Sequence, residues 1–384
     1  MFGASDSFGP KADMKLTEKL AHLSWGLVLL VCCITGIGTM LLYSAGGGNW
    51  DPWASRHIIR FGIGFALMLA IAMVDLRTLL RLAYPLYFMV LVLLVGVEIM
   101  GHVGKGAERW INLGFVQIQP SELMKITLVL ALARYFHGLP PENTTKITFL
   151  IPPVVLILLP VALVLMQPNL GTALLLLLGS AMLFWGAGVP AWIFAAAIAV
   201  GVAAIPVGWE FLHDYQKQRV LTFLNPEADP LNTGYNIMQS KIAFGSGGLF
   251  GKGFLNGSQS QLAFLPEKHT DFIFVVLAEE FGMVGALILL GLYSAVITYG
   301  YGIAISSRSQ FGRLVALGIT STLFLYVVVN IAMISGLIPV VGIPLPLVSY
   351  GGTAMLTLCI GIGILLCVAV QREVRLSKSG LAEW

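Results

Sequence analysis

The feature that most limits this chain is the spacing of its apolar runs. Stretches of about twenty residues, almost free of charge, recur along its length. A helix rises 1.5 Å per residue, so a run of that length is what it takes to cross ~30 Å of hydrocarbon. The runs fall near 23–44, 58–75, 82–100, 121–137, 148–166, 171–188, 190–209, 272–299, 313–336 and 346–370. Charged residues make up only 11% of the 384, against ~25% in a soluble domain. The expected fold class is an all-α polytopic membrane protein of about ten transmembrane helices. It forms a single membrane domain over 1–384, with a large extracytoplasmic loop (210–271) between spans 7 and 8 and tails at 1–22 and 371–384. The run 121–137 is short and carries Glu122 and Lys125, and 148–166 holds Pro152, Pro153 and Pro160. Prolines are tolerated in a span when neighbours satisfy the freed carbonyls.

Positive charge in short loops sets orientation. With the N-terminus in the cytoplasm, Lys11, Lys15, Lys19, Arg77, Arg81, Arg134, Lys146, Arg308, Arg313, Arg372, Arg375 and Lys378 all fall inside, and an even number of spans returns the C-terminus there. The other basic residues concentrate in two longer outer loops, 101–120 and 210–271, where an anionic ligand is their natural partner. Residues 1–20 are polar and no small-residue cleavage site follows the first run, so no cleaved signal is expected. A net charge of +3 does not point to nucleic acid. Cys32, Cys33, Cys359 and Cys367 lie in apolar runs without metal-type spacing, so neither a disulfide nor a cysteine-bound metal is expected.

One polar stretch stands out. Leu265-Pro266-Glu267-Lys268-His269-Thr270-Asp271 runs straight into the apolar Phe272-Ile273-Phe274-Val275-Val276-Leu277. Asp271 thus sits where an aqueous loop enters the bilayer, a place where a carboxylate faces water, lines a cavity or has a partner. Eight residues on, Glu279 would share its helix face, two turns away. Glu279 and Glu280 are deep enough to need partners, Asn330 being one candidate.

The other loops each carry two readings. In 101–120, Lys105, Arg109 and Trp110 precede Pro120-Ser121, and Ser121 reads as a helix N-cap. Glu122 and Lys125, spaced i, i+3, can pair on one helix face. They either neutralise each other so that the span inserts, or hold a phosphate-rich headgroup with Lys105 and Arg109. Gln167-Pro168-Asn169-Leu170-Gly171-Thr172 is a tight turn. In 210–271, Glu210 to Val220 reads as a mixed-charge surface helix and Tyr235 to Phe244 as a short helix carrying Lys241. Gly245-Ser246-Gly247-Gly248-Leu249-Phe250-Gly251-Lys252-Gly253 is either a simple turn or a backbone cradle for a pyrophosphate. Trp50 and Trp53 read as interfacial tryptophans.

Several of these segments together resemble a known family: Gly106-Ala107-Glu108-Arg109-Trp110, Gln119 to Lys125, Gln167 to Gly171, Gln218-Arg219-Val220, Gly245 to Gly248, Leu265 to Phe272 and Pro346 to Gly352. They are similar, in order and over nearly the whole chain, to the SEDS (shape, elongation, division, sporulation) proteins. Gln167, His213-Asp214-Tyr215-Gln216 and Gly257-Ser258-Gln259-Ser260-Gln261 favour the RodA-type branch over the FtsW-type. The resemblance implies a ten-span glycosyltransferase of the bacterial cytoplasmic membrane, with both termini inside and the site on the periplasmic face. It would polymerise lipid II, an undecaprenyl-pyrophosphoryl disaccharide-pentapeptide, during cell-wall elongation. The implied partners are a class B penicillin-binding transpeptidase and MreC, MreD and MreB. The resemblance makes Asp271 the catalytic residue and places Arg109, Glu122, Lys125 and Arg219 at the site. Asn169 departs from the aspartate usual in the family, which puts any charge-dependent role there in doubt.

For that reaction Asp271 is the candidate general base. Lys105, Arg109, Lys125, Arg219, Lys241, Lys252 and Lys268 are candidates to neutralise a departing pyrophosphate, with Trp110, Glu122 and His269 lining the substrate site. No organic cofactor is expected. A divalent cation (Mg or Mn) bridging pyrophosphate to a carboxylate fits the chemistry, although no dedicated metal cage is visible. The competing readings are a lipid flippase with Glu122, Lys125, Glu279 and Glu280 along its path, a division-type polymerase, and a scaffold that only recruits the transpeptidase.

Overall fold

The computed structural model describes residues 16–100, 102–104, 107–112, 117–167, 169–211, 214–225, 233–261 and 267–377. Its helices are α1 (Leu16–Ala21), α2 (Trp25–Ala45), α3 (Trp53–Ala72), α4 (Leu76–Met100), α5 (Pro120–Gly138), α6 (Ile147–Met166), α7 (Leu170–Gly186), α8 (Ala191–Phe211), α9 (Asp214–Leu224), α10 (Thr233–Gly247), α11 (Ser258–Gln261), α12 (Ile273–Ser306), α13 (Gln310–Ile334) and α14 (Gly352–Val370). The protein is an all-α polytopic membrane protein. Among the described residues seven helices (α2, α3, α4, α6, α12, α13 and α14) are long and apolar enough to cross a bilayer, and α7 and α8 carry shorter apolar runs.

α5 explains its own mixed character. It packs against α4, α6, α7, α13 and α14, and nearly every residue from Pro120 to Ala133 is buried. Protein rather than lipid surrounds it, so Glu122 and Lys125 are solvated by the bundle. The helix begins two residues earlier than its sequence signals: Gln119 is the N-cap and Pro120 occupies the first turn. Proline suits that position because its missing N–H would have had no helical partner. The expected Ser121 cap is therefore corrected. Asn169 does cap its helix, accepting from Thr172 N at 3.3 Å. Among the described residues of 101–120 are three short antiparallel strands, β1 (His102–Gly104), β2 (Ala107–Asn112) and β3 (Gln117–Ile118), in the order β1-β2-β3.

α12 is broken. Gly282 adopts φ 63°, ψ −158° inside it, a conformation only glycine reaches cheaply. The segment after α10 lies directly against the break. A Cβ on Gly282 would lie 2.4 Å from Gly251 N, and one on Gly251 would lie 2.1 Å from Glu280 O. Backbone groups freed by the break find partners in that segment. Met283 N and Val284 N donate to Gly248 O and Leu249 O at 3.0 and 3.1 Å, while Lys252 N and Gly253 N donate to Glu279 O and Glu280 O, each at 3.0 Å. The glycine-rich run 245–253 is therefore a seam that mends a helix, and its amides are used there rather than in a phosphate cradle.

Candidate active site

α12 starts at Ile273, with Phe272 as its N-cap. Asp271 therefore precedes the helix, and the expected shared face with Glu279 is not formed. Its turn is held from two sides through the backbone. Asn330 Nδ2, on α13, donates to Asp271 O at 2.9 Å and to Ile343 O at 2.6 Å. Ser349 Oγ donates to Thr270 O at 2.5 Å, and Tyr350 N donates to His269 O at 2.9 Å. Thr270 Oγ1 bonds Glu267 Oε2 at 2.8 Å, closing the turn on itself. A Cβ on Gly342 would lie 3.4 Å from Asp271 Oδ2, so that glycine leaves the carboxylate its space. Asn330 is thus spent on the turn and is not the partner foreseen for Glu279 or Glu280.

Next to Asp271, His269 stacks on Trp53 with ring centroids 4.0 Å apart, and Tyr350 meets Trp53 edge-on at 4.9 Å. The Arg60 guanidinium lies over the Tyr350 ring, 4.6 Å from its centroid. Of this cluster the sequence reading singled out only His269 for the site. Trp53 was read as a membrane-interface residue, while His57 and Arg60 stand inside or beside an otherwise apolar run. Ionisable residues at those positions were the available signal. Lys268 is partly buried, and that burial pulls its ammonium below its usual range, against the opposing pull of the Glu280 carboxylate.

One turn before Asn330 on α13, Tyr326 meets the second polar group. Lys125 Nζ and Glu122 Oε1 are paired at 2.6 Å, with both side chains buried. Tyr326 Oη donates to Glu122 Oε2 at 2.8 Å and also meets Lys125 Nζ. The pairing inferred from i, i+3 spacing is borne out. What the sequence did not offer was Tyr326, which lies 204 residues from Glu122 along the chain and supplies the third member.

Lys252 has partners within the fold. Its Nζ pairs with Glu279 Oε1 at 2.8 Å and bonds Ser258 Oγ at 2.7 Å. Gln259 N donates to the same Glu279 oxygen at 2.8 Å. Glu280 accepts from Ser44 Oγ on α2. Lys241 is exposed on α10, and Trp110 is half-buried on β2. Arg109 and Arg219 have backbones on β2 and α9, with side chains outside the description, and Lys105 lies outside the described residues. Among the described residues no three His, Cys, Asp or Glu side chains converge as metal ligands.

The comparisons with known proteins agree with one another. Residues 21–374 match the family model described as "cell cycle protein", which covers FtsW, RodA and SpoVE. The chain is 45% identical over 362 residues to the peptidoglycan glycosyltransferase MrdB of Escherichia coli K12, covering 93% of this chain and 96% of that protein. It is similar, at TM-score 0.79 and 35% identity, to a chain in a structure of a peptidoglycan synthase complex that coordinates polymerization and crosslinking, covering 91% and 98%. Against the rod shape determining protein RodA of Thermus thermophilus the TM-score is 0.69 at 32% identity, covering 91% and 97%. A broken α12, a backbone-pinned aspartate turn and a buried Glu–Lys–Tyr group thus belong to a chain that is a member of the FtsW/RodA/SpoVE family.

Proposed function

We propose that this chain is a peptidoglycan glycosyltransferase that polymerises lipid II during cell-wall elongation, with Asp271 as its general base. The observation that carries the reading is the backbone pinning of the Asp271 turn by Asn330 and Ser349, from two different elements. A base must be held at a fixed place to take a proton in the transition state.

In this reading the 4-hydroxyl oxygen of the acceptor N-acetylglucosamine attacks the anomeric carbon of the growing chain. The hydroxyl proton passes to the Asp271 carboxylate. The bond from the anomeric carbon to the pyrophosphate oxygen breaks, and the lipid pyrophosphate leaves with the electron pair. Nearby cations offset the charge of that group. Lys268, beside Asp271 in the same turn, is one; Arg109 and Arg219 are proposed as others. Lys125 and Lys252 are paired with Glu122 and Glu279. A divalent cation would arrive with the pyrophosphate, and no step here depends on it.

The proposed setting is the bacterial cytoplasmic membrane, with both termini inside and the Asp271 end of the bundle facing the periplasm. A class B penicillin-binding transpeptidase is the proposed partner, with MreC, MreD and MreB as further members of the assembly. The flippase reading is disfavoured because Glu122, Lys125, Glu279 and Glu280 each hold a bond to another element or to one another.

The test uses purified protein in proteoliposomes with lipid II and the transpeptidase. Wild type is expected to form glycan polymer and Asp271→Ala none, with both inserted and folded. Full polymerisation by Asp271→Ala would end the assignment. Fluorescent lipid II crossing the bilayer without any polymer would turn the reading to a flippase.

A further inference from the structure

Helix α3 carries two nitrogens that the fold buries without giving them partners. His57 is 2% exposed, and its Nε2 has no hydrogen-bond partner among the described residues; the same holds for Arg60 Nη1. Spaced i, i+3, the two residues share a helix face. That face looks onto one segment: His57 meets the backbone of Leu347, and Arg60 meets Tyr350 and Gly352. Buried polar groups without partners are few in folded proteins, and a bound ion is one explanation of such a group.

Arg60 is always charged, yet no carboxylate among the described residues pairs with it. Its neighbour sharpens the imbalance. A Cβ on Gly352 would lie 3.3 Å from Arg60 Cζ and 3.6 Å from Nη1, and Gly352 is the first residue of α14. A helix begins with amides that have no helical acceptor and with the positive end of its dipole. The N-cap of α14 is Gly351, which has no side chain to cap it. A guanidinium therefore stands at a positive helix end, and an anion placed between them relieves both. Arg60, Tyr350, Gly351 and Gly352 are each half-buried, so the place is open to a ligand.

The donor set suits phosphate. With Tyr350 beneath it, the guanidinium keeps its N–H donors at its edge, in the planar fork that matches phosphate oxygens. The place is also joined to the proposed base. Tyr350 N donates to His269 O, two residues before Asp271, and both rings pack on Trp53.

We propose that Arg60 and the first turn of α14 bind a phosphate group, and that the pyrophosphate of the lipid-linked substrate supplies it. The inference rests on the polymerase reading above and adds to it a cation from an apolar helix. Arg60 then holds the departing group, while the turn that Tyr350 braces takes the acceptor's proton.

The experiment has two arms on the full-length protein in nanodiscs. In the first, inorganic pyrophosphate is titrated and the unfolding temperature is followed in phosphatidylcholine nanodiscs. Pyrophosphate is expected to stabilise wild type. Arg60→Gln should need about tenfold more of it, with Arg60→Lys between the two. Wild type that is not stabilised, or Arg60→Gln stabilised equally, would overturn the proposal. The titration is repeated with phosphatidylglycerol in the bilayer. Arg60-dependent stabilisation by that phospholipid, not displaced by lipid II, would assign the place to a membrane headgroup and overturn the substrate assignment. In the second arm the transpeptidase is added and polymerisation of lipid II is measured. Arg60→Gln is expected to raise KM about tenfold, and Arg60→Lys to recover part of the loss. Gln and Lys variants equally impaired, with a lower unfolding temperature before any ligand is added, would reduce Arg60 to packing on Tyr350 and overturn the proposal. Wild type that binds pyrophosphate through Arg60 but makes no polymer would defeat the polymerase reading and leave the phosphate site standing.

Discussion

Asp271 and the Glu279–Glu280 pair lie within ten residues of one another, yet their surroundings differ. Glu279 and Glu280 are fully buried on α12, and their carboxylates are bound by Lys252, Ser258, the Gln259 amide and Ser44. Those bonds tie the segment 252–259 and helix α2 to the first half of α12. At Asp271 the fixed bond from α13 goes to the backbone oxygen. The turn is braced through its main chain, from α13 and from the segment before α14. Glu279 and Glu280 thus join segments through their carboxylates, whereas the Asp271 turn is gripped through its peptide oxygens, which under the proposed mechanism fixes the base in place.

Substitutions can break this contrast or sharpen it. The largest effect is expected at Asp271→Asn, which keeps the shape and removes the base. The rate of polymerisation should fall by about 10²–10⁴, with thermal stability unchanged. An Asn variant within tenfold of wild type would erase the contrast. Glu279→Ala should act on the fold instead. It leaves the Lys252 ammonium and the Gln259 N–H without their acceptor, and breaking a buried pair costs about 3–5 kcal/mol. Because Lys252 keeps 27% of its side chain exposed, the lower end is expected, read as a fall in unfolding temperature that Glu279→Gln partly restores. Asn330→Ala sits between the two classes. It orphans Asp271 O and Ile343 O at about 1–3 kcal/mol each, and kcat should drop about tenfold with KM little changed. Unaltered kcat would show that Ser349 and Tyr350 suffice to hold the turn. The smallest effect belongs to Tyr326→Phe, which removes one hydroxyl from the Glu122–Lys125 pair. About 0.5–1.5 kcal/mol of stability should be lost, with polymerisation within tenfold. Complete loss of polymer would move that pair from bracing into the reaction itself.

What could be read in the sequence follows from how local each feature is. The apolar runs located the long helices because bilayer thickness imposes their length. Glu122 and Lys125 were legible as a pair because i, i+3 spacing fixes a shared face, and their bond is there at 2.6 Å. Lys252 and Glu279 are 27 residues apart, and nothing local joins them. Their meeting depends on the break at Gly282, a conformation selected by the segment lying against it. The same break made a glycine-rich run look like an anion cradle, since both uses require exposed amides and absent side chains. Arg60 carried a local signal, an ionisable residue in an apolar run, but its contact with the Tyr350 ring joins positions 290 residues apart and is not legible locally.

The seam between 248–253 and the break in α12 also bears on where this protein can be labelled. A glycine-rich stretch in a large loop invites the insertion of a tag or fluorophore. Here its amides and carbonyls complete another helix, so lengthening it would uncouple the two halves of α12 at Gly282, eleven residues beyond Asp271. The short turn at 141–146, at the opposite end of the bundle, is mostly exposed and bonded chiefly within itself. That turn is where a reporter belongs.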